Sequence, residues 1–311
     1  MSDLSPMFEM PVSFDKETSK ETSNETIENI FLNACRDGMV QKVGEMLQET
    51  PDLVCFETAD TKNTPLLWAI KSNQFEIVKI LVEEFKANVN HNEFRENPLT
   101  YASFLGNLEI VKFLLYSGAR VDLPNKDLGA IAFQCAAHQG HLEICKVLIE
   151  HGSDPEFQTL KDKSTALMWA SRKNKMSVVQ YLVDDLKVNA NQQDINGWTA
   201  LMTASRRSCL EIVEYLVSTK KADVNIKDKK GSSALMYACR YGLIDVVKFL
   251  VEKAKADINT RDFYLCTLLM GASRFGHLEV VKYLVNERKV NVNETNRFNE
   301  NAVFAAVLSY N

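Results

Sequence analysis

Four arginines stand at one fixed spacing. Arg172, Arg206, Arg240 and Arg274 each lie 34 residues from the next, and each closes a near-identical stretch: "ALMWASRK" at 166, "ALMTASRR" at 200, "ALMYACRY" at 234 and "LLMGASRF" at 268. A guanidinium is a planar, permanently charged fork of N–H donors that matches a carboxylate or a phosphate. A row of them is chemistry for recognising an anion, not for breaking a bond. The next position along adds Lys173, Arg207, Tyr241 and Phe275, the same stretches hold Trp169 and Tyr237, and nearby lie Trp198, Phe263, Tyr264 and Phe298. Arginine, tryptophan and tyrosine dominate binding hot spots, so this set is the candidate partner-binding surface.

Other reactive groups carry less. There is no Gly-rich phosphate cradle, no HExxH and no nucleophile elbow. His138 and His141 in "AAHQGHLEI" could suggest a metal site, but two histidines alone are too few donors for one. Seven cysteines make an odd count with no CxxC pair, which predicts reduced thiols packed as small apolar residues. No catalytic residue, metal or cofactor is expected within these residues.

Something must hold the arginines in a row, and the chain shows what. Alanines recur at Ala34, Ala69, Ala102, Ala136, Ala170, Ala204, Ala238, Ala272 and Ala306, with gaps of 35, 33 and then 34 six times. Around each lies a polar turn, a short helix centred on the alanine, a Gly or Asn, and a second helix of the type "LEIVKFLL" at 108 or "LEIVEYLV" at 210. In the second helices the apolar residues share one face of a 3.6-residue period; Leu210, Ile212, Val213, Leu216 and Val217 form one such stripe, with Glu211 and Glu214 pointing outward. Gly106, Gly140, Gly242 and Gly276 end first helices where a left-handed residue is needed, and Asn73 and Asn174 take the same place. Ser208 fits that conformation poorly, so a less regular turn is expected there.

These residues resemble the ankyrin repeat family. "DINGWTALMTASRRSCLEIVEYLVSTKKADVN" at 194–225 and "NTPLLWAIKSNQFEIVKILVEEFKANVN" at 63–90 follow its turn–helix–helix–hairpin pattern, and the likeness covers about nine-tenths of the chain. It implies an all-α solenoid of stacked helix pairs with β-hairpin turns along one edge. Eight full repeats are expected, at 24–58, 59–91, 92–125, 126–159, 160–193, 194–227, 228–261 and 262–295, then a partial ninth at 296–311 after an acidic tail at 1–23. The sequence departs from the family's pattern in places: its Thr-Pro survives only as Thr64-Pro65, with Asn97-Pro98 a partial match. Methionine (Met168, Met202, Met236, Met270) replaces the histidine after the leucine, and most repeats run one residue long after the second helix, where irregular packing is expected. His141 and His277 sit at the family's Gly-His position, where the ring holds the turn. Arrays normally end in a polar cap, so the natural gene product is expected to continue past Asn311.

The resemblance also implies that the position two residues after each alanine faces the concave side: Arg36, Lys71, Phe104, His138, the four arginines and Leu308. Several readings stay open. The arginines could be a solvated face paired with Asp194, Asp228 and Asp262, or the groove of a non-catalytic scaffold that takes an acidic or phosphorylated peptide along repeats five to eight. The array could be the substrate-targeting region of a larger enzyme such as a kinase or ubiquitin ligase. An RNA or other polyanion could stack on Trp198 and Tyr264, although the net charge of −5, of which residues 1–26 carry −4, lacks the basic excess of a nucleic-acid binder. The tail segment "SPMFEMPVSF" at 5–14 could occupy the groove of its own array or of a neighbouring molecule. No apolar run is long enough to span a membrane and the start lacks a secretory signal, so a cytoplasmic or nuclear location is expected.

Overall fold

The structure is a computed structural model that describes residues 26–59, 63–92, 96–219 and 221–307. The tail through residue 25, with its Phe8, Met10 and Phe14, and Leu308 lie outside the described residues. The described residues form helix pairs in series and no β-strand. First helices run Ile27–Arg36, Pro65–Lys71, Pro98–Leu105, Ala132–Gln139, Ala166–Arg172, Ala200–Arg206, Ala234–Arg240, Leu268–Arg274 and Ala302–Val307. Second helices begin at Val40, Phe75, Leu108, Leu142, Met176, Leu210, Ile244 and Leu278.

Local chemistry fixes both ends of the first helices. Thr165, Thr199, Ser233 and Thr267 are extended N-caps whose hydroxyls accept the amides of Met168, Met202, Met236 and Met270 at 3.3–3.4 Å. The methionine has a part in this. The Met168 and Met270 sulfurs accept the Thr165 and Thr267 amides at 3.5 and 3.4 Å, taking the place a Glu or Gln holds in a capping box. At the other end Gly106, Gly140, Asn73 and Asn174 are left-handed, and so is Ser208 at φ +61°. The next amide then reaches back to the alanine carbonyl, as from Cys209 to Ala204 at 3.1 Å. The turn at Ser208 therefore matches those around it, contrary to the irregularity expected from its side chain, because stacking on both sides holds it in shape.

The alanines from Ala34 to Ala272 are at most 1% exposed, which lets neighbouring first helices approach closely. Ala306 is only half-buried, and Ala305 takes the buried place in the last helix. Ile212, Val213 and Leu216 are fully buried from the second-helix side. In repeats two, five and eight the extra residue after the second helix is taken up by a change of helix type. Three second helices end in a π-turn, at Ile80–Glu84, Tyr181–Asp185 and Tyr283–Glu287, and Lys86, Lys187 and Lys289 then take the left-handed position at φ +54° to +57°. In the shorter repeats three and four, Gly118 and Gly152 hold it.

Hairpin-shaped turns project between the pairs. Asp194, Asp228 and Asp262 each close one, accepting two backbone amides on one carboxylate oxygen, and each tip donates one backbone bond to the tip before it, as from Phe263 to Lys230 at 2.9 Å. Just before these turns asparagines clamp neighbours together: Asn191 donates to the Lys221 carbonyl at 3.1 Å and accepts the Asp223 amide at 2.7 Å.

Candidate partner-binding face

The first-helix ends and the hairpin tips bring several of the candidate residues of repeats five to eight into contact with one another, and the four arginines of the column have four different surroundings. Arg172 is partly buried; burial first, and Arg207 next, pull its pKa down, while Asp162 and Asp194 oppose them. Arg206 lies between two aromatic faces, its guanidinium carbon 5.3 Å from the Trp198 ring centre and 5.1 Å from that of Tyr241. Arg240 lies 5.7 Å over Tyr237 and 3.8 Å from an oxygen of Asp262. Arg274 is exposed. Among the described residues Lys173, Arg207 and Arg274 form no ion pair, so the pairing with turn acids that holds for Arg240 and Asp262 does not reach those three cations.

The aromatic candidates divide into two layers. Trp169 and Tyr237 are 3% and 5% exposed, so they support the face from beneath and do not form it. Trp169 meets the buried His138 edge-on at 5.5 Å. Tyr237 donates to Asp228 at 2.5 Å, packs 4.3 Å from Trp198, and has its phenol pKa raised by burial and by that carboxylate. Tyr241, Phe263, Tyr264 and Phe275 are 38–57% exposed and make up the outer layer. Tyr264 stacks on Phe298 at 6.2 Å. Trp198 spans the layers, half-buried with its face on Arg206.

Toward the N-terminus the same column changes character. Lys71 sits over Trp68 and Tyr101 at 5.2 and 5.4 Å, Phe104 stacks on His138, and His138 is held neutral to about pH 3 by burial and by Lys173, Arg172 and Lys175. Glu96 accepts from Asn125 and Thr100 at 3.0 and 2.9 Å, yet burial raises its carboxyl to about 7. Sequence reasoning missed the Asp228–Tyr237 contact and the Glu96 cluster. Both join residues from a turn to a helix face, a pairing that spacing alone does not reveal.

His141 and His277 hold the turns, their Nε2 atoms 3.2 and 2.9 Å from the carbonyls of Phe104 and Arg240 in the preceding repeats. Among the described residues no group of three or more His, Cys, Asp or Glu could hold a metal ion, and no helix is long and apolar enough to cross a membrane.

Comparison with known proteins agrees with the series of helix pairs. The profile of the family described as ankyrin repeats in three copies matches residues 31–125, 120–194, 174–262 and 220–296. A probable E3 ubiquitin-protein ligase, XBOS32, of Oryza sativa subsp. japonica is 30% identical over 108 residues, 34% of this chain and 22% of that protein. An ankyrin repeat and SAM domain-containing protein 6 of Rattus norvegicus is 36% identical over 105 residues, 33% of this chain and 12% of that protein. The aligned part thus covers less than a quarter of either relative.

Proposed function

The chain belongs to the ankyrin repeat family, a protein-interaction domain, and from that premise we propose that it is a non-catalytic scaffold whose concave face in repeats five to eight holds an acidic or phosphorylated peptide. The observation that carries this reading is Arg206 between Trp198 and Tyr241. The guanidinium lies over both rings, and its fork of N–H donors is the group that an anion would take. Cation and rings together also offer the side-chain types that dominate hot spots.

The test is fluorescence anisotropy with a labelled Glu-Ser peptide and its Lys-Ser counterpart. The protein binds the acidic peptide in preference, and Arg206→Glu weakens that binding by roughly tenfold or more. Equal binding of the two peptides, or no effect of Arg206→Glu in a variant that melts like the wild type, overturns the reading. The similarity to a probable E3 ubiquitin-protein ligase favours a second reading, in which the same face delivers substrates to a larger enzyme. Reconstitution with that enzyme's catalytic part, comparing wild type with Arg206→Glu for substrate modification, separates the two.

A further inference from the structure

The four surroundings of the arginine row define a register that a ligand must match. Repeat five offers Lys173, exposed and without an ion pair among the described residues; repeat six offers Arg206 and Arg207. In repeat seven Arg240 already faces Asp262 at 3.8 Å, and what stands at the surface is the ring of Tyr241, 38% exposed. Repeat eight again offers a cation, Arg274, beside the half-exposed Phe275. Read along the stack, the face asks for anion, anion, apolar group, anion.

Packed helices lie ~8–10 Å apart, which sets the step between these positions. A β-strand rises ~3.3 Å per residue, so three residues cover the step, but residues three apart point to opposite faces. An α-helix rises ~1.5 Å per residue and needs about six or seven residues for it. A polyproline II helix has three residues per turn and rises ~3.1 Å for each. One turn is then ~9 Å long, and every third side chain points the same way.

We propose, resting on the reading above, that the ligand is a polyproline II segment with anionic side chains on its first, fourth and tenth residues and an apolar one on its seventh, or the same pattern reversed. The anions face Lys173, Arg206 with Arg207, and Arg274; the apolar residue lies on Tyr241. Carboxylate and phosphate share the chemistry the row recognises.

The probes are two proline-background peptides, Glu-Pro-Pro-Glu-Pro-Pro-Leu-Pro-Pro-Glu and its reverse, with a permuted peptide of equal composition whose three glutamates are adjacent. One of the two register peptides binds roughly tenfold or more tightly than the permuted one. Lys173→Glu, Arg206→Glu and Arg274→Glu each weaken it several-fold, while Arg240→Gln changes it less than about twofold. A phosphoserine version that binds tighter supports the same register with phosphate as the anion. Equal binding of register and permuted peptides overturns the register and leaves the anion-binding reading intact. So does tighter binding by a helical peptide with glutamates seven apart. Absence of binding by every acidic peptide, the Glu-Ser peptide included, overturns both.

Discussion

At the scale of single residues, the buried His138 and the partly buried Glu96, both on the N-terminal side of the row, oppose each other. His138 is 5% exposed, its Nδ1 has no hydrogen-bond partner, and its pKa lies near 3, below the ordinary 6.5. A depressed histidine means that the folded chain binds fewer protons than the unfolded one, so its contribution to stability is present above about pH 6.5 and is lost as pH falls toward 3. From pH 7 to 5 this amounts to about 2 kcal/mol. Glu96 has the opposite sign: its carboxyl is raised from 4.5 to about 7, so the folded chain binds the extra proton and stability falls as pH rises from 4.5 to 7. The two contributions nearly cancel over this window. His138→Phe, which keeps a ring against Phe104 and Trp169, should therefore gain about 2 kcal/mol relative to wild type on going from pH 7 to pH 5, and Glu96→Gln should lose stability by a similar order. Urea unfolding of the three proteins at both pH values checks this; parallel pH dependence in all three contradicts it.

At the scale of elements, the second helices show how a family pattern absorbs an added residue. The π-turn at Tyr181–Asp185 takes up the extra length, and the chain reverses at Lys187 with φ +55°, a conformation that costs a side-chain-bearing residue roughly 1–2 kcal/mol. Lys187 is exposed, so little packing is lost with its side chain. Lys187→Gly should raise stability by about 1 kcal/mol after the added backbone entropy of glycine is deducted, and with it the melting temperature measured by circular dichroism. A lower melting temperature would show that the lysine stem matters to the turn. Much of this level was legible in advance. The alanine period located the helix pairs, because close approach demands a small residue at one point per repeat. The π-turns were not legible: an added residue says that the chain is longer without saying which hydrogen bonds shift. The methionines were legible as a repeated type but not as amide acceptors, since a thioether is a weak and uncommon cap. Likewise the recurrence of arginine showed a row, whereas the surroundings that make Arg206 and Arg240 different come from Tyr241 and Asp262 one repeat further on.

At the scale of the whole molecule, a stack touches itself only through neighbours, so its stability is close to a sum of repeats and interfaces. One interface between repeats three and four depends on the absence of a side chain. Gly106 is left-handed at φ +87°, and a Cβ there would lie 2.4 Å from the His141 ring that reaches back to the Phe104 carbonyl. Gly106→Ala must therefore strain the backbone and displace the imidazole, weakening this single junction by roughly 2–4 kcal/mol. In a globular protein such a loss lowers one cooperative transition. Here it should divide the array: helices up to Leu108–Tyr116 lose hydrogen-exchange protection at lower denaturant than those from Ala166 onward, and one unfolding transition becomes two. The cation row lies wholly on the far side of that junction, so the affinity for an acidic peptide should stay within about twofold. Uniform loss of protection along the chain would show that the stack responds as one body, and binding lost together with repeats one to three would place part of the recognition surface in the N-terminal half, where Lys71 stands between Trp68 and Tyr101.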